Sequence, residues 1–320
     1  MQVFLPILYI LIALVLLYYG AEWLVKGGCG VALKLKISRL VIGLTLVACA
    51  TSAPELTVSL DSALRGLDGL SMGNVIGSNI CNIALILGLS ALVTPIPVNV
   101  RMMRLDVPLM IGSAVLLTAS CYYFGGVPRW EGLLFVMLLA GFLWWQYRQA
   151  RSGQGDEGAS SEAPKSAERP AWQWLLLALA GLGALVSGGK LFVNGAVAVA
   201  RLLHVSEAVI GLTVVAVGTS LPELATSLVA AIKGEQDIAI GNVVGSNIFN
   251  ILCILGVTAT IKPLSAMDIT TLDLATMLAV SFLLPPMMLT GKKLTRAEGV
   301  LLLAIYIAYT ALLVKNALQG

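Results

Sequence analysis

Long apolar runs separated by short charged or turn-forming segments dominate the chain, without the apolar/polar alternation that half-buried strands require. Residues 69–100, 107–128 and 238–261 contain no Asp, Glu, Lys or Arg. Each run exceeds the roughly 20 residues of a bilayer-crossing helix. Runs bounded by charge, Pro and Gly predict ten helices, near 3–24, 39–64, 70–93, 105–124, 129–147, 172–190, 207–232, 238–260, 272–290 and 297–315. An outer-membrane barrel is excluded, because its strands would alternate. The expected class is an all-α polytopic membrane protein.

Residues 148–170, RQARSGQGDEGASSEAPKSAERP, break this pattern. They are small, polar and charged, with no apolar period on which to build a fold. They divide the chain into a first five-helix unit, 1–147, a linker, 148–170, and a second five-helix unit, 171–320. A shift of 168 residues lays 37–88 on 205–256 without a gap, and about 29 of the 52 positions are identical. The units are therefore copies of one another. An odd number of helices per unit makes the second copy enter the membrane from the opposite face, so the repeats are expected to be inverted. Inverted repeats are the build of many secondary transporters, with the substrate site near the midplane where the halves meet.

Composition agrees with a membrane location: 58% of residues are hydrophobic and 12% charged, against about a quarter charged in soluble domains. The net charge of +3 is spread over short loops, so a nucleic-acid surface has no support. With the N-terminus outside, fourteen Lys and Arg fall on the cytoplasmic side and six on the other. The positive-inside bias thus predicts both termini outside and a cytoplasmic linker. No positive residue precedes the first apolar run, whose first lysine is Lys26, which argues for a retained helix rather than a cleaved signal. Cys29, Cys49, Cys81, Cys121 and Cys253 form no C-x-x-C pair, and most sit in apolar runs as small hydrophobes. The single histidine, His204, lies between apolar segments, leaving no imidazole for chemistry in the membrane.

Two of the apolar segments are each broken by one ionisable residue, Glu55 in ATSAPE (50–55) and Glu223 in GTSLPE (218–223). A bare carboxylate at mid-membrane costs at least roughly 2.5 kcal/mol, so such residues mark ion or proton paths. The preceding prolines, Pro54 and Pro222, supply no N–H, which frees the carbonyls of Ala50 and Gly218. Thr51, Ser52, Thr219 and Ser220 add hydroxyls on the same turns. The segments that follow carry GNVIGSNICN (73–82) and GNVVGSNIFN (241–250). Close helix packing explains Gly73, Gly77, Gly241 and Gly245. It does not explain Asn74, Ser78, Asn79, Asn82, Asn242, Ser246, Asn247 and Asn250, since unpartnered amides in hydrocarbon are costly. Carboxylates, hydroxyls and carbonyls without sulfur or imidazole form a hard-cation ligand set that suits calcium best and sodium as well.

At these motifs the chain resembles the prokaryotic sodium/calcium exchangers of the cation/calcium exchanger superfamily, whose paired repeats read G-T-S-x-P-E and then G-N-x-x-G-S-N. The resemblance covers both repeats, the ten helices and the central linker. It implies calcium ligands at Glu55, Glu223, Thr51 and Thr219, the threonines through their carbonyls. It also implies sodium sites using Ala48, Ser52 and Ser78 in one half and Ala216, Ser220 and Ser246 in the other, with Asn82 and Asn250 central. Two positions depart from the pattern: Ala50 stands where the family usually has glycine, and Asn250 where members often have aspartate. The linker is also too short for the calcium-sensing domains of animal relatives. The expected function is exchange of Ca2+ for Na+ across the inner membrane by alternating access, with no cofactor and no protein partner. The rivals are calcium/proton or potassium-dependent exchange through the same site. An intramembrane enzyme is the remote rival, and it lacks a His base, H-E-x-x-H and G-x-S-x-G.

Overall fold

The structure is a computed structural model that describes residues 4–151, 170–202 and 216–319. It is helical apart from four two-residue strands. Seven helices are long and apolar enough to cross a membrane: Phe4–Leu35, Asp68–Val93, Val100–Phe124, Ala171–Leu202, Gln236–Ile261, Thr271–Lys292 and Arg296–Asn316. The pair Arg39–Thr51 and Ala53–Leu64 makes an eighth if counted as one span bent by 44°. Arg129–Arg151 and Leu221–Ile232 are helical but fall short, the first through its charged ends and tryptophans, the second through its length.

Boundaries differ from the sequence expectation mainly in the first and sixth segments, which continue to Leu35 and Leu202. Lys26 and Lys190 do not end these helices, because a lysine on an exposed helix face keeps its ammonium outside the bundle. The fifth helix likewise runs to Arg151, four residues into the expected linker. Linker residues 152–169 and the first part of the seventh segment, 203–215, lie outside the described residues.

The two GNxxGSN helices form the centre. Their apolar windows are 78% buried for Asp68–Val93 and 94% for Gln236–Ile261, against 17–33% for the other five candidate spans. Leu11, Val15, Leu179, Leu301 and Ile307 are exposed on that outer ring. A continuous apolar surface of this kind suits lipid and would be a liability in water. Tyr122, Tyr123, Phe124 and Trp130 cluster at one hairpin, while Trp144, Trp145 and Tyr147 lie toward the other end of Trp130's own helix, Arg129–Arg151. Amphipathic aromatic rings collect at both membrane interfaces in this way.

Close approaches between helices depend on small residues. A Cβ on Gly20 would sit 2.9 Å from the Gly181 carbonyl, which lets Phe4–Leu35 and Ala171–Leu202 touch along their length. A Cβ on Gly245 would come within 2.6 Å of the Leu44 carbonyl and 2.7 Å of Ala48 Cβ. The packing explanation therefore holds for Gly241 and Gly245. Among the described residues nothing comes within 4 Å of a Cβ at Gly73 or Gly77.

The strands form two small sheets that the apolar pattern did not announce. β1 (Ile96–Pro97) pairs antiparallel with β4 (Lys293–Leu294), and β2 (Gly126–Val127) with β3 (Leu264–Ser265). Each joins a loop of one half to a loop of the other, giving backbone groups at the helix ends a partner. Ion pairs add to these ties: Arg39 to Glu235 and Lys233 to Glu22, both at 2.7 Å, and Lys262 to Asp68 at 2.9 Å.

Candidate ion-binding site

Both TSxPE turns break their helices at the serine. Ser52 has φ −82° and ψ 5°, and Ser220 has φ −87° and ψ 6°, both away from the helical ψ. Pro54 and Pro222 then occupy the first turn of the following helices, Ala53–Leu64 and Leu221–Ile232. There the missing N–H costs nothing, so these prolines start helices rather than kink them. Glu55 and Glu223 lie in the same first turns, where the N-terminal end of the helix dipole favours negative charge.

On the opposing side, each central helix changes from α to π winding at its last asparagine. The π-turns span Cys81–Leu87, beginning one residue before Asn82, and Asn250–Leu255. A third, Gly43–Val47, leads into Ala48. Such π-turns shift the side chains that follow and recur at functional sites. Nothing in the hydrophobic pattern distinguishes them from ordinary helix.

Hydrogen bonds connect these elements in equivalent pairs across the repeats. Ser52 Oγ donates to Glu223 Oε1 at 3.1 Å, and Ser220 Oγ to Glu55 Oε1 at 3.5 Å. Thr51 Oγ1 donates to Asn242 Oδ1 at 3.1 Å, and Thr219 Oγ1 to Asn74 Oδ1 at 3.4 Å. Asn82 Nδ2 donates to Asn247 Oδ1 at 3.3 Å, and Asn250 Nδ2 to Asn79 Oδ1 at 2.9 Å. Within each repeat a further asparagine braces the broken helix. Asn74 Nδ2 donates to the Glu55 carbonyl at 3.3 Å and Ser59 Oγ at 2.9 Å; Asn242 Nδ2 does so to the Glu223 carbonyl at 3.4 Å and Ser227 Oγ at 2.9 Å.

Of the sequence-predicted residues, Ala48, Thr51, Ser52, Glu55, Ser78, Asn82, Ser220, Glu223, Ser246 and Asn250 are all buried. Thr219 is half-buried, and Ala216 is placed by its backbone at the start of Ala216–Thr219. The Ala48 carbonyl already accepts from Ser52 N–H at 3.0 Å and Thr51 Oγ1 at 3.3 Å. Ser78 Oγ lies 3.3 Å from Ser220 Oγ, within hydrogen-bond reach. Asn74, Asn79, Asn242 and Asn247 were legible only as polar residues needing partners, and Ser59 and Ser227 carried no signal. They are the bracing partners.

Five buried oxygens of this network have no hydrogen-bond partner among the described residues: Glu55 Oε2, Glu223 Oε2, Asn82 Oδ1, Asn250 Oδ1 and Ser246 Oγ. Stranding a buried polar atom costs roughly 1–3 kcal/mol, more for a charged group. Glu55 and Glu223 each bond a serine of the opposite repeat, so two carboxylates enter one buried network. A cation coordinated by these oxygens would relieve that cost. Amide donation by Asn82 and Asn250 to Asn247 and Asn79 leaves their carbonyl oxygens, rather than their NH2 groups, without a partner among the described residues.

A model of the family described as sodium/calcium exchanger protein matches residues 5–148 and 172–315. The chain belongs to the sodium/calcium exchanger family. This member is similar to the sodium/calcium exchanger MaX1 of Methanosarcina acetivorans, with 34% identity covering 96% of this chain and 97% of MaX1. It is also similar to the inner membrane protein YrbG of Escherichia coli, with 38% identity over 79% of each chain. Its fold matches the sodium-calcium exchanger NCX_Mj soaked with 2.5 mM Na+ and 0.1 mM Ca2+, with a TM-score of 0.82 and 35% identity, covering 97% of this chain and 98% of that one. This family member is thus a multi-pass membrane transporter of the antiporter type, and its relatives are exchangers rather than enzymes.

Proposed function

We propose that the chain exchanges Ca2+ for Na+ across the inner membrane by alternating access, binding the ions between its two repeats. The observation that carries this reading is the set of five buried oxygens, drawn from both repeats, that have no partner among the described residues. They include two carboxylates and no nitrogen or sulfur, which is the donor chemistry of a hard cation. Glu55 and Glu223, with the carbonyls of Thr51 and Thr219, take calcium. Ser52, Ser78, Ser220, Ser246, Ala48 and Ala216 take sodium, with Asn82 and Asn250 shared. Because each carboxylate is held by a serine of the opposite repeat, movement of one repeat against the other remakes the site as it changes the face to which it opens.

Sodium-gradient-driven uptake of radiolabelled calcium into inverted membrane vesicles tests the reading. Uptake is expected to follow the sodium gradient and to persist with a proton ionophore. Uptake that follows a proton gradient and collapses with the ionophore would replace sodium coupling by proton coupling.

The architecture that accompanies this function is ten transmembrane helices in two inverted five-helix units, 1–147 and 171–320, joined by a cytoplasmic linker, with both termini outside. A cysteine introduced near residue 158 is expected to react with a membrane-impermeant thiol reagent only after the cells are opened. One introduced near residue 67 is expected to react in intact cells. The reverse labelling pattern would overturn the orientation while leaving the repeat intact.

Asn250→Asp adds a third carboxylate to the cluster and removes the N–H that Asn250 gives to Asn79. Like charges in one dry site give protons more opportunity to compete with the cation. Acid is therefore expected to inhibit the variant more steeply than the native chain. Identical profiles from pH 5 to 9 would mean that Asn250 does not contact the ions.

A further inference from the structure

Phe4–Leu35 and Ala171–Leu202 carry the register of the repeat beyond the ion site. A Cβ on Gly20 would meet Gly181, Ala184 and Leu185, and one on Gly188 would meet Ala13, Leu16 and Leu17, every position displaced by 168 residues. In that register Glu22 is equivalent to Lys190, and Lys233 to Arg65. The seating of these two helices on the rest of the chain is one-sided. Phe4–Leu35 packs along Leu221–Ile232, with Leu17, Ala21 and Val25 in one apolar cluster with Leu221 and Val229. Among the described residues, Ala171–Leu202 makes no such packing with Ala53–Leu64. Leu221 and Val229 are accordingly buried, while their equivalents Ala53 and Asp61 are exposed. An ion pair closes the seated side: Glu22 Oε1 lies 2.7 Å from Lys233 Nζ and 2.7 Å from Lys26 Nζ. On the unseated side Asp61 Oδ2 lies 2.8 Å from Arg65 Nε, and Lys190 is exposed, with no ion pair among the described residues.

Each side thus has an acid–base pair within one helix and a lone lysine on the helix across from it, with the assignment reversed. Lys26 and Glu22 stand against Lys233 on one side, and Asp61 and Arg65 stand across from Lys190 on the other. The positions equivalent to Lys26 and Asp61 are Asn194 and Val229, so the acid–base pair has changed helices between the repeats. In a transporter built from inverted repeats, the second state is the first with the roles of the repeats exchanged. That exchange seats Ala171–Leu202 on Ala53–Leu64 and brings Lys190 to the place that Glu22 holds here. We propose that Lys190 and Asp61 form a second latch, which shuts the open side once the Glu22–Lys233 latch releases, and that the balance of the two ion pairs sets which way the empty carrier opens. This deepens the exchange reading and rests on its inverted repeats. Without Asp61 the second state would set Lys190 against Arg65, two like charges; the carboxylate turns that repulsion into attraction. The other ties between the repeats, Arg39–Glu235 and Lys262–Asp68, involve neither of these two helices.

The test uses the full chain carrying Ala225→Cys, purified in detergent. Ala225 packs against the cluster that holds Phe4–Leu35, so a thiol there reacts with a soluble maleimide when that helix leaves its seat. Mass spectrometry of the peptide around residue 225 reads the labelling and leaves the native cysteines in place. Exposed and half-exposed ion pairs shift an equilibrium by about two- to fivefold. Glu22→Gln is expected to raise the labelling rate by that factor, and Lys190→Gln and Asp61→Asn each to lower it by that factor. Adding Lys190→Gln to Asp61→Asn is expected to lower it no further, because the two side chains act as one pair. Hydrogen exchange of the peptide covering Leu221–Ile232, in chains without Ala225→Cys, gives the same ranking should that variant fold poorly. An unchanged or faster rate in Lys190→Gln or Asp61→Asn, losses that add in the double variant, or no gain from Glu22→Gln would overturn the proposal. Labelling needs no ion flux, which separates the two readings. The expected labelling pattern in a chain with no sodium-driven calcium uptake would sink the exchange reading and keep the latches. Sodium-driven uptake with uniform labelling would do the reverse.

Discussion

Replacing either Glu55 or Glu223 by Gln is expected to abolish calcium transport while the protein stays inserted and folded. The amide keeps the shape of the carboxyl and can still accept from the serine across the interface, Ser220 for Glu55 and Ser52 for Glu223. What disappears is charge. A unit charge about 4 Å from each unit of cation charge is worth about 4 kcal/mol at an effective dielectric of about 20. That corresponds to roughly a thousandfold in binding. Folding should not suffer, because an amide costs less to bury than a carboxylate. Isotope flux through each purified variant in proteoliposomes, with thermal unfolding as the check on folding, decides the matter. Near-native calcium exchange by either variant would end the two-carboxylate site.

The second large effect is expected at Gly245, outside the ligand set. Valine there would force its Cβ to 2.6 Å from the Leu44 carbonyl and 2.7 Å from Ala48 Cβ. The obstacle is largely backbone, so no flexible side chain can move aside. Overpacking of a tight core costs roughly 1–3 kcal/mol, and a backbone clash belongs at the upper end. The helix Gln236–Ile261 must then move away from the segment that carries Ala48 and Thr51. This breaks the 3.1 Å bond between Thr51 and Asn242 and, through Asn242, loosens the brace on Glu223. Gly245→Val is expected to lower the unfolding temperature in detergent and to remove calcium transport. Gly141→Ala, where a Cβ meets nothing within 4 Å, should leave both unchanged. A Gly245→Val chain that unfolds and transports as the native one does would show that the two repeats are not packed together at this interface.

The apolar pattern already contains the membrane setting and the order of the helices, because lipid tolerates backbone only where its hydrogen bonds are satisfied within the segment. Where they are described, the ten predicted segments are mostly helical, broken by turns at Ser52, Leu105 and Ser220, and misjudged ends such as Leu35 and Leu202 reflect lysines that an exposed helix face accommodates. The duplicated motifs also singled out the chemistry, since a carboxylate or amide in hydrocarbon has so few uses that its presence nearly defines its role. What one dimension does not encode is partnership. That Ser52 serves the distant Glu223, and Ser220 serves Glu55, follows from two repeats facing each other.

The same limit hides the division of labour among the asparagines. GNVIGSNICN presents Asn74, Asn79 and Asn82 as similar residues, yet Asn74 braces the broken helix, Asn79 accepts from Asn250, and Asn82 is left with a buried, partnerless oxygen. Only tertiary contacts distinguish donors from acceptors that are already used and from those left over. The π-turns at Cys81 and Asn250 and the two-residue strands at Ile96 and Gly126 were likewise invisible. Each is set by long-range packing rather than by local propensity. The sequence by itself thus determined that a candidate set of hard-cation ligands lies within a duplicated helical membrane protein. The tertiary structure alone decided which oxygens are braced and which are left without partners, because a hydrogen bond between residues some 165–191 positions apart exists only once both repeats are packed together.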